Sequence, residues 1–245
     1  MVQKGRGGAR VAQILLACAA IAGPSVAGAQ ISWTNWTALT PGSSAGTATG
    51  TMTTTSGTVT VTYTGQLQGG SQTSGGGGTQ YFNPAGTHPF SASTYENGGS
   101  VPNGPGTNPG FIQLIDGSAT VENTLTFSTP VNDLFFSIIS MGQGGESVTY
   151  DFGSSPFTLA TQGPGWWGGC NTCLVQSGNT LTGTEGDGTL IFNGPITSLS
   201  FTSNPGENWH GFTVGTQSTV PEPGSMALLG TGLVGLVPVM RKRRK

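Results

Sequence analysis

The stretch Thr58-Val59-Thr60-Val61-Thr62-Tyr63-Thr64 alternates hydroxyl-bearing and largely apolar side chains without a break. Successive side chains of a strand point to opposite faces, so this period of two predicts a half-buried β-strand. From residue 111 onward, short segments rich in Phe, Val, Ile, Leu and Thr alternate with turn residues such as Asp116-Gly117. We predict strands in these segments, at residues 111–115, 120–128, 134–140, 147–152, 157–160, 174–176, 180–183, 189–192, 197–202 and 212–214.

The spacing of these short strands, with no amphipathic helix pattern between them, predicts an all-β fold. Many short strands separated by turns favour a β-sandwich, and we expect one of jelly-roll type. The sandwich is expected over residues 30–214, of which 30–110 are rich in Gly, Thr and Ser and partly loop. Residues 215–219 are expected to form a short polar linker.

Basic residues occur only near the two ends of the 245-residue chain. No Lys or Arg lies between Val11 and Met240, whereas all ten acidic residues lie between Glu96 and Glu222. The formal net charge of −2 therefore conceals an acidic body between two basic ends. A body without Lys or Arg lacks the phosphate contacts that supply most nucleic-acid affinity, so nucleic acid is excluded as a partner.

Residues 1–29 show the three regions of a secretory signal peptide in order. A basic start is followed by a mainly apolar segment, 11–21, and by small residues at a cleavage site. The basic residues are Lys4, Arg6 and Arg10, and the small residues are Ala27 and Ala29. We expect a signal helix, export by the Sec machinery and cleavage by signal peptidase before Gln30. Cys18 leaves lipoprotein acylation as the alternative.

The C-terminal segment 220–245 combines a Pro-Glu-Pro tripeptide, an uncharged apolar stretch at 226–240 and a basic end. The tripeptide is Pro221, Glu222 and Pro223, and the basic end is Arg241, Lys242, Arg243, Arg244 and Lys245. As a helix, the apolar stretch would span roughly 22 Å, short of a hydrocarbon core of about 30 Å. The basic end is expected to act as a stop-transfer signal that stays in the cytoplasm and leaves the body outside.

This C-terminal segment resembles the PEP-CTERM sorting signal, because the tripeptide, the Leu/Gly-rich segment and the basic end match in order and spacing. The resemblance implies a hydrophobic sorting helix that inserts transiently or permanently into the inner membrane of a Gram-negative bacterium. It also implies recognition by an exosortase, cleavage near the tripeptide, and delivery to the cell surface or extracellular matrix. The resemblance further implies an association with exopolysaccharide production. The segment 111–214 loosely resembles the ectodomains of other proteins with this signal.

Cys170 and Cys173 form a Cys-x-x-Cys pair in a glycine-rich segment. In an exported protein, this spacing favours a structural disulfide that closes a loop. A redox pair is the alternative, but redox versions usually open a helix in a βαβ setting, which this sequence does not indicate. A zinc site would need two more ligands, and the histidines His88 and His210 are remote in sequence.

The residues Trp166, Trp167 and Trp209 are candidate glycan contacts. An exposed tryptophan in a glycine-rich loop offers a flat ring on which a sugar stacks. Packing in the core or beneath a loop is the alternative, since large aromatic side chains are usually mostly buried. In an extended segment, neighbouring residues face opposite ways, so at most one of Trp166 and Trp167 is expected to join the core.

Glu185-Gly186-Asp187 is the closest carboxylate pair in the sequence. Two carboxylates at this spacing are compatible with glycoside hydrolysis, because residues i and i+2 share one face of a strand. The flanking glycines favour a solvated turn or a weak calcium site instead. His210 has no serine or cysteine nucleophile motif beside it.

The double targeting pattern and the lack of a catalytic set favour a non-enzymatic exported protein associated with exopolysaccharide. We expect no cofactor and no bound metal. The alternatives are a carbohydrate-binding module using the three tryptophans and, less favoured, a secreted glycoside hydrolase. They differ in whether the aromatic and acidic residues converge on one site or scatter.

Overall fold

The computed structural model of the chain describes residues 29–42, 45–54, 56–82, 92–106, 109–114 and 118–218. The predicted signal helix and the predicted sorting helix lie outside these residues. Within the described residues, no helix has the length and apolar character needed to cross a bilayer.

The described residues are almost entirely antiparallel β-structure, which confirms the all-β class. The single helical segment among them is the 3₁₀ turn Ala92–Thr94. The strands are β1 Gln30–Trp33, β2 Asn35–Thr40, β3 Gly46–Thr54, β4 Gly57–Gly65, β5 Ile112–Gln113, β6 Ser118–Met141, β7 Val148–Asp151, β8 Thr158–Gly163, β9 Leu174–Ser177, β10 Thr180–Gly183, β11 Gly186–Asn204 and β12 Gly211–Ser218.

All twelve strands belong to one hydrogen-bonded sheet. Its main path runs β2-β3-β4-β6-β11-β7-β10-β9. A branch leaves this path where β12 pairs with β6, and β12 in turn carries β1 and β5, while β8 pairs with β11. The sheet branches because β6 and β11 have 24 and 19 residues and change neighbours along their length.

The ladder between β6 and β11 is interrupted near its middle. The register shifts between Phe192 and Pro195 and again between Ile196 and Ser198. Gly194 has a φ of +95°, which suits glycine because it has no Cβ. Bulges of this kind bend a strand and increase its twist. One part of β6 can therefore pair with β4, and the other with β12.

Phe136 of β6 lies within the largest core cluster and joins the two parts of the sheet. Its ring stacks on Phe212 of β12 with 4.5 Å between ring centroids, and it meets Phe201 of β11 edge-on at 5.5 Å. It also meets Phe152, which follows β7, at 5.8 Å. Rings from the branch and from the main path thus share one core. Apolar burial of this kind must supply much of the stability of a body without Lys or Arg.

A buried polar contact fixes the end of β4 against β6. The Asn123 Oδ1 accepts hydrogen bonds from the Tyr63 hydroxyl at 2.7 Å and from the Gln66 backbone N–H at 2.9 Å. The Asn123 Nδ2 donates to the Gln66 Oε1 at 3.1 Å. Since a buried amide without partners would cost free energy, these bonds make this pairing specific.

The strand bounds differ from the sequence prediction in two ways. The predicted pairs 120–128 with 134–140, and 189–192 with 197–202, are continuous strands, because bulges carry the ladder across the turn-like residues. Strands β1 to β3 lie in the stretch expected to be partly loop. In β3, a Cβ at Gly50 would clash with the Thr34 side chain and the Asn35 carbonyl oxygen, so this glycine permits close strand packing rather than marking a turn.

The expected linker at 215–219 is wrong for Gly215–Ser218. These residues complete β12 and pair with β1, with Gly215 opposite Trp33 and Ser218 opposite Gln30. Gly215 and Thr216 also pair with Phe135 and Leu134 of β6, so this polar segment lies between two strands. The strand order does not confirm a jelly-roll sandwich.

Replacement of Phe136 by alanine tests the shared core. We expect Phe136→Ala to lower the free energy of unfolding by about 3–5 kcal/mol, because it leaves a cavity among packed rings. Urea denaturation followed by far-UV circular dichroism measures this change. The exposed Thr126 of the same strand provides the control, and Thr126→Ala should change stability by about 0.5 kcal/mol or less. A loss below about 1 kcal/mol for Phe136→Ala would show that the two parts of the sheet do not share a core.

Candidate functional site

Four aromatic side chains from three separate segments converge at one place. Tyr81 stacks on Trp167 with 5.0 Å between ring centroids, and it contacts Trp166 at 5.4 Å and Trp209 at 4.6 Å. Trp167 and Trp209 are 4.4 Å apart. We call Tyr81, Trp166, Trp167 and Trp209 the aromatic platform. The three tryptophans singled out in the sequence therefore lie together.

A tight turn places Trp166 and Trp167 on the same side. The Gly165 N–H donates to the Gly168 carbonyl at 2.6 Å, and the Gly168 N–H donates back to the Gly165 carbonyl at 3.2 Å. The two tryptophans occupy the tip between these glycines. The segment is thus not extended, and the alternation rule that would have separated the two rings does not apply.

The platform has a buried side and an exposed side. Trp166 and Trp209 are partly buried against a small core cluster that contains Phe82, Tyr95, Phe111 and Ile139. Trp167 is 45% exposed, and it is one of two large hydrophobic side chains exposed among the described residues, the other being Val175. An exposed tryptophan on a rigid aromatic base is a preformed stacking surface.

A disulfide joins Cys170 and Cys173, with 5.2 Å between their Cα atoms. It closes the segment that directly follows the Trp166-Trp167 turn. The Cys173 carbonyl accepts a hydrogen bond from the Thr184 N–H at 3.0 Å, which ties this segment to the connection between β10 and β11. Described cysteine, histidine and acidic side chains form no group of three arranged to hold a metal ion.

Asp187 lies in a buried polar site beside the platform, with 1% of its surface exposed. Its Oδ1 accepts hydrogen bonds from the Tyr95 hydroxyl at 2.8 Å and from the Ser140 N–H at 3.0 Å. Burial raises the pKa of Asp187 from 3.8 to about 7, and the nearby Glu185 and Glu207 contribute to the increase. The two hydrogen bonds oppose this shift because they stabilise the charged form.

Glu185 is half-buried and has a φ of +59°. Its Oε1 accepts a hydrogen bond from the Ser140 hydroxyl. Burial raises the pKa of Glu185, and the charge of Glu207 adds to the rise. The pair Glu185 and Asp187 is therefore not the solvated turn that its flanking glycines suggested, since Asp187 is a buried residue of β11.

Glu207 and His210 form a second buried polar contact. The His210 Nδ1 lies 2.8 Å from the Glu207 Oε1, although the contact falls outside hydrogen-bond angles. The same carboxylate oxygen accepts the Gly142 N–H at 2.7 Å, and the His210 Nε2 lies 3.2 Å from the Ser203 hydroxyl. His210 is fully buried, and it follows Trp209 directly in the sequence, so these contacts lie at the base of the segment that carries Trp209.

Sequence reasoning identified the tryptophans but not the residues that support them. Tyr81 follows a glycine-rich stretch, and only the aromatic pair Tyr81-Phe82 sets it apart. Neither Tyr95 nor Ser140 carries a motif, because their contacts with Asp187 join positions 92 and 47 residues apart. Contacts of this range depend on the sheet topology, which local patterns do not contain.

In a comparison with protein families, residues 219–245 match the PEP-CTERM protein-sorting motif. The C-terminal segment is a PEP-CTERM sorting signal. This signal indicates an exported protein that an exosortase processes, and it agrees with the tripeptide, the apolar stretch and the basic end of the sequence. Neither the curated proteins nor the solved structures include a match to the chain.

Removal of the disulfide tests its part in holding the platform. We expect Cys170→Ser with Cys173→Ser to lower the free energy of unfolding by about 2 kcal/mol, the value expected for closing so short a loop. Trp167 should also become more exposed, which acrylamide quenching of tryptophan fluorescence measures. Wild-type protein reduced with dithiothreitol serves as the control and should behave like the double variant. Unchanged stability and quenching would show that the turn holds its shape without the disulfide.

Proposed function

We propose that this chain is an exported, non-enzymatic surface or matrix protein whose β-domain binds neutral polysaccharide through the aromatic platform. The observation that carries the proposal is the convergence of Trp166, Trp167 and Trp209 around Tyr81, with the Trp167 ring open to solvent. The sorting signal supplies the cellular context.

The chemistry of the platform suits a sugar ring. One face of many pyranoses presents C–H groups, whose partial positive charge complements the negative face of an aromatic ring. Trp167 and Trp209 lie at 4.4 Å with a 54° angle between their planes. The two rings therefore form an angled surface rather than a flat stack, and such a surface offers contact to a chain on two sides.

The charge of the body favours an uncharged ligand. No Lys or Arg occurs between residues 11 and 240, and the acidic residues Glu185 and Glu207 lie near the platform. A uronate-containing polymer would meet like charge there without a cation to pair with it. We therefore assign neutral polysaccharide as the ligand class, with calcium bridging as the only route to an anionic one.

The acidic residues beside the platform support a binding role over a hydrolytic one. Glycoside hydrolysis needs two carboxyl groups that reach a bound sugar. Asp187 is buried, and Glu207 is nearly so, which leaves the half-buried Glu185 as the accessible carboxylate of the three. In this proposal, the sheet that bends along the β6–β11 ladder is a sandwich-like scaffold, and the platform lies on it.

Two-ended processing completes the proposal. Signal peptidase removes residues 1–29, and an exosortase cuts near Pro221 after the apolar tail has entered the inner membrane. The body is then released or attached at the cell surface, where exopolysaccharide is available.

The intact mass of the protein recovered from its native host tests this processing. We expect the mass of a chain that begins at Gln30 and ends near Pro221. A host lacking its exosortase provides the control and should yield a chain that keeps the tail. Retention of the tail in the wild-type host would make the protein an ordinary anchored one and would overturn the exosortase step.

Replacement of Trp167 tests the platform. We expect Trp167→Ala to weaken binding to neutral polysaccharide by about tenfold, which corresponds to the loss of one aromatic stacking contact. Trp167→Phe should keep most of the affinity. Affinity electrophoresis in gels that contain the host exopolysaccharide or a neutral glucan measures the change.

Val175 offers a matched control, because it is also a large exposed hydrophobic residue and lies outside the platform. Val175→Ala should bind as the wild type does. The wild-type chain should bind a neutral polymer more tightly than a uronate-containing polymer in calcium-free buffer. Equal binding by Trp167→Ala and wild type, or tighter binding of the uronate polymer, would contradict the proposal.

A further inference from the structure

The loop that carries Trp166 and Trp167 rests directly on the carboxyl group of Asp187. A Cβ atom at Gly165 would overlap all three atoms of that carboxyl group, so the backbone of the turn lies against it with no room for a side chain. The neighbouring Pro164 carbonyl accepts a hydrogen bond from the Thr94 hydroxyl at 2.9 Å. Thr94 precedes Tyr95, which donates to Asp187. The loop and the carboxyl group are therefore packed as one unit.

Neither a hydrogen bond nor a cationic side chain of the described residues would stabilise a negative charge on the second carboxyl oxygen of Asp187. Its Oδ2 is buried and has no hydrogen-bond partner among the described residues. No Lys or Arg lies between residues 11 and 240, and the described histidine, His210, is held against Glu207. An uncompensated carboxylate in such a place is costly, and a buried carboxyl group avoids the cost by keeping its proton.

Among the titratable groups that face Asp187, the two carboxylates favour its neutral form, whereas the Tyr95 hydrogen bond opposes the rise in its pKa. Tyr95, from the segment after the 3₁₀ turn, is a neutral donor to Oδ1. Glu185, just before β11, and Glu207, in the connection from β11 to β12, both place negative charge nearby. No cationic side chain of the described residues opposes them, since His210 contacts Glu207 rather than Asp187.

We propose that Asp187 is a positioning residue of the aromatic platform and seats the tryptophan turn only in its protonated form, so that polysaccharide is held in acidic medium and released in alkaline medium. This inference rests on the proposed function for its ligand, but the seating of the turn is a property of the chain alone. Asp187 itself is buried and does not touch the sugar.

The direction of the pH effect follows from proton linkage. When the turn lifts, Asp187 meets water and regains an ordinary pKa near 4, whereas in the seated state burial raises the pKa of Asp187 to about 7. Between these values the seated state binds one more proton than the lifted state. Rising pH therefore favours lifting across this window, by up to tenfold per pH unit, and has no further effect through Asp187 above it.

The seating can be measured without any ligand. Trp167 and Trp209 are close enough for their rings to give a strong near-ultraviolet circular dichroism signal, which we expect to fall between pH 5 and pH 8 in the full chain. Asp187→Asn should keep the signal across that range, because an amide retains the Oδ1 acceptor and cannot ionise. Glu122→Gln, a change of an exposed carboxylate on β6, should follow the wild type.

A second variant, Gly165→Ala, tests the seating of the turn without changing Asp187. Gly165→Ala forces the turn off the carboxyl group, so we expect a weak signal at every pH with unchanged far-ultraviolet dichroism. A signal in the wild type that does not depend on pH would overturn the proposal, as would unaltered pH dependence in Asp187→Asn. Restoration of the wild-type signal at pH 8 by calcium would also overturn it, because a cation rather than a proton would then be the required partner.

Binding separates this inference from the proposed function. Wild-type affinity for neutral polysaccharide should fall at least tenfold from pH 5 to pH 8, whereas the affinity of Asp187→Asn should stay level. Polysaccharide binding that depends on Trp167 but not on pH would contradict the role of Asp187 and would leave the proposed function intact. If the dichroism signal depends on pH but the protein binds no polysaccharide at any pH, the proposed function is contradicted. The seating role of Asp187 would then still hold.

Discussion

The antiparallel ladder between β6 and β11 is the interaction on which the other elements depend. Each of these strands pairs with one neighbour along one part of its length and with another along the rest. The register shifts near Gly194 bend the ladder, so that rings on its two parts meet in one core around Phe136. Without that bend, β12 and β4 would follow one another along a flat edge, and their apolar faces would lack a partner.

The same ladder builds the candidate site. Ser140 lies near the end of β6, and Asp187 lies near the start of β11, so the ladder brings them within one hydrogen bond of each other. The connection from β11 to β12 then returns Trp209 to the same end of the sheet. The platform therefore forms where the long strands end, and loops that are distant in sequence meet there.

The absence of Lys and Arg from the body constrains how its acids are arranged. In most proteins a buried carboxylate is paired with a cation. Here Glu207 has a buried histidine and a backbone N–H, while Asp187 has only neutral donors. Because the body has no Lys or Arg, a bound proton is what remains to neutralise the negative charge of Asp187. The carboxyl group lies directly against Gly165, so its protonation state affects the packing of the tryptophan turn.

Local sequence patterns predict some of these features correctly but not others. The alternation from Thr58 to Thr64 and the exact bounds of β10 follow from local patterns, because each strand has one buried face. Strand β3 was missed because its glycines resemble turns, although Gly50 serves close packing against β2. The convergence of Trp167 with Trp209 was left open, since it depends on a turn at Gly165 and on pairings across 42 residues that no local period encodes.

The direction of β12 relates the platform to the end of the body. The strand begins at Gly211, two residues after Trp209, and ends at Ser218, where it pairs with Gln30 at the start of β1. Eight residues of extended strand cover roughly 24 Å, so the two ends of the body lie together at the far end of β12 from Trp209. The sorting signal therefore follows in sequence from the end of β12 that is far from Trp209. A chain that is cut beyond Ser218, or held there, keeps both the ladder that supports Asp187 and the open face of Trp167.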